Sequence, residues 1–515
     1  MLKLNSLIKS VIEYNNLDEH QINQLFNPID FKVSNHPLFI QAEEMIKTAI
    51  ENKDKIIICG DYDADGICST TILYRTLKKL GAHVGYYIPN RFKEGYGLNE
   101  NTVDLALGKE YELFVLVDNG VSAESSLKKI REAGKLSLIL DHHSYEGEVL
   151  CDCLVHPNLL EADYHDMCGS GLAYNLSERL IGYDAFNVSL AGIATIADLM
   201  PLWGFNRSLV IQSLKEINNH QAQVLMNLLN SSKMINETDI AFQLVPKLNA
   251  IGRLADIIDV NKLVKYLCLD ESGSIDAFSK EIIRVNDLRK EINQKMYVKA
   301  LEMIEDKNVI VLYDEEFHEG IVGITAGRLA SELNKAVFIL NREGNRLKGS
   351  ARSNGSIDLR ELVKPALDLL NRFGGHSQAA GLELDIEHVD EFIHLINANT
   401  DALNQQIESV NYLNMKDEWL SIDMFEALYQ YRPFGQGIQI PSFKFTEYRI
   451  KSNRLIRGGI SFELEFKNSI INAVYFQSVL DERLIQSDFS SFIGRITLDE
   501  FRGQKKLKIM IESFE

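Results

Sequence analysis

A chain of 515 residues with 45% apolar content has length for about three or four domains with real cores, which excludes a disordered or single-module protein. The formal net charge of −19 excludes a uniformly basic surface, yet residues 430–515 carry 13 Lys and Arg against 10 Asp and Glu, so the acid excess lies upstream. There is no run of about 18 apolar residues and no charged-then-apolar leader at the start. Six cysteines without a CxxC pair read as reduced thiols, so no membrane contact is expected and the expected compartment is the cytoplasm.

Residues 1–50 read as a helical lead-in. The runs Ile56-Ile57-Ile58-Cys59, Leu113-Phe114-Val115-Leu116-Val117 and Leu136-Ser137-Leu138-Ile139-Leu140 read as strands, and residues 66–80 have helical spacing. This recurrence predicts a parallel βαβ sheet, placed within residues 51–230. A fourth apolar segment, residues 190–197, precedes Asp198, and helical segments are expected to continue to about residue 230. Residues 274–306 carry apolar side chains at helical intervals and predict one long helix, part of a connector over residues 231–306, with a cleft between the regions it joins. A second α/β unit, residues 307–400, opens at Val309-Ile310-Val311-Leu312 and continues through a helix near residues 321–332, a strand at 336–340 and loops rich in Gly and Ser. Ser461-Phe462-Glu463-Leu464-Glu465-Phe466 alternates with period two, and residues 470–476, 492–498 and 507–511 are strand-like. Arg457-Gly458-Gly459 and Arg502-Gly503-Gln504 read as hairpin turns. Residues 401–515 are therefore expected to form a small barrel, a class that includes the oligonucleotide-binding folds.

The acidic residues follow these runs. Asp61, Asp63 and Asp65 occupy alternate positions after the first strand and share a face if the loop is extended. A calcium loop of EF-hand type requires Glu at its twelfth position, where Ile72 stands. Asp118-Asn119-Gly120 read alone is a turn, Asp141-His142-His143 a loop pair, and Asp198 a helix cap. Together they are carboxylates gathered along one sheet edge, where like charges suppress each other's ionisation unless a cation intervenes. Carboxylate with imidazole suits Mn2+ or Mg2+, and there are ligands enough for two ions.

Cationic and glycine-rich segments supply a second set of candidates. Arg91 and Tyr96 lie in Pro89-Asn90-Arg91-Phe92-Lys93-Glu94-Gly95-Tyr96-Gly97-Leu98, a composition that grips phosphate and stacks a base. Arg253, closing Pro246-Lys247-Leu248-Asn249-Ala250-Ile251-Gly252-Arg253, can hold phosphate with two nitrogens. Gly349-Ser350-Ala351-Arg352-Ser353 and Gly374-Gly375-His376-Ser377 are expected to expose backbone N–H groups to an anion, with Ser350, Arg352, Gly375 and His376 in contact with it.

Gly60-Asp61-Tyr62-Asp63-Ala64-Asp65-Gly66, Val117-Asp118-Asn119-Gly120, Asp141-His142-His143 and Ala197-Asp198 resemble the four motifs of the DHH phosphoesterase family. With the Arg253, Arg352 and His376 segments and Arg432-Pro433-Phe434-Gly435-Gln436-Gly437, the likeness runs to the RecJ-type branch, single-strand-specific DNA exonucleases, from about residue 50 onward. That resemblance implies a DHH domain, a long connecting helix, a DHHA1 domain and an oligonucleotide-binding (OB) barrel. It implies 5′→3′ degradation of single-stranded DNA to mononucleotides in recombination and repair, with two Mn2+ or Mg2+ ions. It further implies that Asp63, Asp65, Asp118, His142 and Asp198 bind the ions and that His143 neutralises phosphoryl charge. Arg352, Ser350 and His376 would hold the 5′-terminal nucleotide. Cys59 stands where some relatives carry a histidine, so Asp61 either joins the first ion or orients its loop. Single-strand-binding protein and a helicase are the partners the resemblance implies. Two other readings remain: a relative acting on short oligoribonucleotides or cyclic dinucleotides, and a non-catalytic single-strand-binding scaffold.

Overall fold

The computed structural model describes residues 5–95, 97–229, 234–353, 355, 357–399, 411–476, 489–501 and 504–514. Three sheets in sequence are joined by helices, in the predicted order of parallel-sheet domain, connecting helix, second α/β domain and C-terminal OB-like sheet. Helices α1 (Ser6–Tyr14), α2 (Glu19–Phe26) and α3 (Pro37–Asn52) precede β1 (Lys55–Cys59), α4 (Ala64–Lys79), β2 (His83–Tyr87), α5 (Glu100–Gly108), β3 (Tyr111–Val117), α6 (Glu124–Glu132), β4 (Leu136–Leu140) and β5 (Cys153–Val155). The five strands are parallel in the order β2-β1-β3-β4-β5, with Cys59 opposite Leu116 and Val117 opposite Leu140. Their continuous apolar runs follow from burial on both faces.

Helices α7 (Gly169–Ile181), α8 (Ala185–Ala197), α9 (Gly204–His220), α10 (Gln223–Leu229), α11 (Glu237–Asp239), α12 (Val245–Arg253) and α13 (Asn261–Leu267) complete the first domain. The apolar segment at residues 190–197 lies inside α8, and Asp198 is its C-cap. Eight apolar residues do not separate a buried helix from a buried strand. Helix α14 (Ser272–Met303) is a single rod of 32 residues, about 48 Å long at 1.5 Å per residue. Its first half packs on α10 and α12, its second on α15 (Val322–Leu333).

The second sheet has the order β6-β7-β8-β10-β9, from β6 (Val309–Asp314), β7 (Ala336–Glu343), β8 (Arg346–Arg352), β9 (Leu370–Gly375) and β10 (Ala379–Asp385). Alternate residues of β6 and β7 face opposite ways. Ile310, Leu312, Val337 and Ile339 join the core of the first domain, while Val309, Phe338 and Leu340 join a separate one. The two α/β units therefore share a core along α14 and α15.

The third sheet has seven strands: β11 (Tyr412–Asn414), β12 (Ser442–Phe445), β13 (Arg449–Ile456), β14 (Gly459–Glu465), β15 (Ile470–Phe476), β16 (Phe492–Phe501) and β17 (Gln504–Phe514), ordered β11-β12-β16-β17-β15-β14-β13. The Arg457-Gly458 turn stands where it was expected. Arg502 and Gly503 lie outside the described residues. The lead-in divides: α3 packs against the parallel sheet, whereas Leu7, Ile8 and Val11 of α1 complete the core of this last domain beside Trp419, Phe425 and Phe443. Trp419 Nε1 donates to Ser6 Oγ (2.8 Å), and Asn15 Oδ1 accepts from the Gln439 amide (2.8 Å).

A buried cation ties this domain to the first. Arg207 donates to the carbonyls of Pro433 (2.9 Å) and Tyr431 (2.5 Å), and Glu237 accepts from the Phe434 amide (3.2 Å). All six cysteines are free thiols. No helix among the described residues is long and apolar enough to cross a membrane.

Candidate active site

The carboxyl ends of β1, β3 and β4 are neighbours, and this brings Asp61, Asp63, Asp118 and the Asp141-His142-His143 segment to one edge. The loop after β1 is shorter than an extended run through Asp65. Asp63 is already the N-cap of α4, accepting from the amides of Asp65 (3.0 Å) and Gly66 (3.1 Å), and Asp65 stands in the helix's first turn. Asp65 accepts the amides of Gly169 and Ser170, both at 2.7 Å, so its carboxylate is held by the start of α7. Asp118 adopts a left-handed backbone (φ 59°), which Asp tolerates better than most residues. A Cβ on Gly169 would lie 2.8 Å from Asp118 Cβ, so only glycine lets α7 approach this closely. Asn119 donates to the carbonyls of Cys59 (3.1 Å) and Val117 (2.8 Å) and pins the two strand ends together.

His142 is the hub. Its Nε2 lies 3.1 Å from Asp118, 3.4 Å from Asp198 and 3.8 Å from Asp65. Within 4.8 Å of one another stand donor atoms of Asp61, Asp63 and Asp118, of Asp65, His142 and Asp198, and of Asp118, His142 and His143. These overlapping sets meet at Asp118 and His142. Asp141 is an orienting group: it accepts from the Val121, His142 and His143 amides and from His143 Nδ1 (2.8 Å).

Electrostatics mark the cluster as incomplete without cations. Burial, then the neighbouring carboxylates, push the Asp118 and Asp61 carboxyls far above the usual range and raise Asp63. The same causes bring Asp198 to about 8. Burial lowers His142. Burial works most strongly against the His143 imidazolium, but the hydrogen bond to Asp141 and the charges of Asp141, Asp198 and Asp61 together outweigh it and raise the group to about 9. One oxygen of Asp61 is buried with no hydrogen-bond partner. Stacked carboxylates, a neutral imidazole and an orphaned oxygen fit hard divalent cations.

The cations gather across the groove. Arg91 lies over the Tyr62 ring (5.2 Å), and Tyr62, Arg91 and Ser350 line a cavity of about 270 Å³ with Lys348 and Arg372. Arg253 ends α12, with Nη1 3.4 Å from the Gly320 carbonyl. A Cβ at Gly252 would lie 2.1 Å from the Tyr62 carbonyl, and Asn249 accepts the Ala64 amide (2.8 Å), so α12 serves as a template for the acidic loop. Lys247 of the same helix does not reach the groove, since its ammonium caps the Leu228 and Gln243 carbonyls.

Ser350 and Arg352 do not lie on a flexible loop presenting free amides. They are in β8, paired with β7 and β10 on either side. Gly375 (φ 142°) ends β9, and His376, with an exposed ring, opens the hairpin beyond the strand end that pairs Ala379 with Arg352. Tyr96 lies outside the described residues. Sequence reading missed Tyr62, Asn249 and Gly169. The segment Cys168-Gly169-Ser170-Gly171 at the start of a helix was the available signal for Gly169.

Family models match three segments: the N-terminal domain of the DHH family at residues 55–201, the DHHA1 domain at 306–401 and the RecJ OB domain at 413–513. The Bacillus subtilis single-stranded-DNA-specific exonuclease RecJ is 31% identical over 92% of this chain and 62% of its own length. The Haemophilus influenzae RecJ is 28% identical over 92% of this chain and 90% of its own. The chain belongs to the RecJ branch of the DHH family. It spans less than two thirds of the Bacillus relative and nearly all of the Haemophilus one. A RecJ exonuclease solved bound to manganese superposes with a TM-score of 0.65 at 29% identity, covering 73% of this chain and 99% of that one. The RecJ of Thermus thermophilus, solved with Mn2+, gives 0.81 over 99% of this chain and 78% of its own at 24% identity, which supports the RecJ fold through the third sheet.

Proposed function

We propose that the chain is an exonuclease specific for single-stranded DNA, working 5′→3′ and releasing mononucleotides by two-cation hydrolysis of phosphodiesters, in recombination and repair. One observation carries the proposal: ligand sets linked through Asp118 and His142 lie beside a cavity that Tyr62 of the acidic loop lines together with Arg91, Lys348 and Arg372, in a chain whose RecJ relatives are named for this activity.

Asp61, Asp63 and Asp118 would hold one cation, and Asp65, His142, Asp198 and the shared Asp118 the other. Two divalent cations held by these residues would supply the Lewis acidity that activates water and offsets phosphoryl charge; Mn2+ or Mg2+ suits the donors. His143, held as imidazolium by Asp141, faces the scissile group as a fixed cation and hydrogen-bond donor. Arg91, Arg253, Arg352 and Ser350 hold the terminal phosphate, and His376 closes over it. Their distance from the cations sets one nucleotide per cut. Tyr62 and Tyr96 offer rings for a base, and the C-terminal domain holds the strand behind it. The cytoplasm fits the free thiols, and single-strand-binding protein and a helicase are the partners that would supply substrate.

Digestion of end-labelled single- and double-stranded oligomers with Mn2+ tests this. Mononucleotides released from the 5′ end of the single strand alone are the expected result. Cleavage confined to dinucleotides, or binding without cleavage, would replace the reading with one of its two rivals.

A further inference from the structure

We propose that the segment from Tyr431 to Ile438, which leads into the strands of the C-terminal domain, is a positioning element for Asp198. Docking of that domain then sets one of the two cation sites as well as holding the strand. The inference rests on the function proposed above and adds residues that act on the chemistry without touching substrate.

Helix α8 ends in a Schellman turn. The Leu199 amide donates to the Ile196 carbonyl (3.3 Å) and the Met200 amide to that of Thr195 (3.1 Å), with Asp198 as the C-cap. The residue after the C-cap of such a turn has a left-handed backbone and is usually glycine or asparagine; here it is Leu199 (φ 54°). Its side chain is 72% exposed, so its own packing does not hold that conformation. Apart from the turn's own hydrogen bonds, what holds the strained residue is the chain beyond it.

That chain is fastened to the Tyr431–Ile438 segment. The Leu202 amide donates to the Gln436 carbonyl (2.8 Å). A Cβ on Gly435 would lie 2.8 Å from Leu202 Cδ1, and one on Gly437 (φ 82°) would lie 2.8 Å from Trp203 Nε1. Ile438 is buried in a small core with Leu202 and Val210. In the first turns of α9, Arg207 is buried and grips the Pro433 and Tyr431 carbonyls, while Glu237 takes the Phe434 amide. Leu199, Met200 and Pro201 alone separate this clasp from Asp198, whose carboxylate lies 3.4 Å from His142 Nε2. A shift of the segment therefore reaches a cation ligand through three residues, and misplacing such a group by about 1 Å costs up to roughly a hundredfold in rate. Asp61, Asp63 and Asp118 stand apart from the clasp, so the effect falls on the cation of Asp65, His142 and Asp198.

The test compares the whole protein with Arg207→Met, Arg207→Lys and Gly437→Ala. In Mn2+ titration calorimetry without DNA, one of two binding events should weaken about tenfold in Arg207→Met and Gly437→Ala and the other should stay as it is, with partial recovery in Arg207→Lys. On a 5′-phosphorylated single strand, kcat should fall by about the same factor while KM changes little. Unaltered Mn2+ binding with a raised KM alone would make the segment part of strand holding only; that overturns the inference and leaves the proposed function standing. A lower melting temperature with Mn2+ binding and kcat unchanged would make it a structural clasp and overturn the inference too. If Arg207→Met does not fold, Gly437→Ala decides by the same readings. A parent protein that cleaves no single strand would instead remove the function on which the inference stands.

Discussion

The acidic wall of the groove and its arginine wall carry opposite charges and are built in opposite ways. The carboxylates come from one domain, at the ends of three adjacent parallel strands and of α8, and backbone amides hold them: those of Gly169 and Ser170 for Asp65, and of Asp65 and Gly66 for Asp63. The arginines come from a loop, a short helix and a strand of the second domain. One wall is held by backbone amides around a site for small ions. The other is assembled across a domain boundary, so a change in domain spacing moves the second wall against the first.

That contrast can be broken or sharpened by substitution. Asp118→Ala removes the carboxylate shared between the ligand sets and should cut Mn2+-dependent hydrolysis by roughly a thousandfold or more. Circular dichroism should show the fold retained, and near-normal turnover would end the metal assignment. Arg352→Ala should lower kcat/KM about a hundredfold on a 5′-phosphorylated strand. Equal losses on phosphorylated and unphosphorylated strands would show that the second wall does not read the end. Gly169→Ala drives a methyl group against Asp118 and should cost about 1–3 kcal/mol in denaturant unfolding, with weaker Mn2+ binding.

Metal-free stability should distinguish the walls by pH. The raised carboxyls hold protons more tightly when folded than when unfolded, so stability falls as pH climbs from the ordinary 3.8 towards the folded value of about 8 for Asp198. Asp141 is lowered and works the other way, only at the acid end. Arg253, brought down to about 10 by burial first, stays charged throughout that window. Melting in EDTA should therefore show a falling midpoint with rising pH, and saturating Mn2+ should flatten it; a rising midpoint in EDTA would contradict the cluster. The smallest effect expected is from Asn249→Ala, about 1 kcal/mol from the lost bond to the Ala64 amide, read as a modest drop in melting temperature.

The acidic wall was largely legible in the sequence because each ligand sits next to an apolar run whose period identifies it. Asp198 was placed after an apolar segment whose period did not identify it, since a buried helix shows no polar stripe. The segment at Ser350 and Arg352 was read as a loop because a glycine and two serines look like a turn, whereas strands on both sides take up its amides. Packing of α1 on the C-terminal domain was equally hidden, because an amphipathic stripe states that a partner exists and not which one.

That last contact has a consequence for synthesis. Helix α1 has nine residues, too few to persist alone in water. It leaves the ribosome well before Trp419, Phe425 and Phe443, which bury Leu7, Ile8 and Val11 and are translated on the order of half a minute later at bacterial-type elongation rates. The newborn chain therefore carries the apolar face of α1 unburied while the two α/β units between are made, and closes this core with a segment much older than the strands around it.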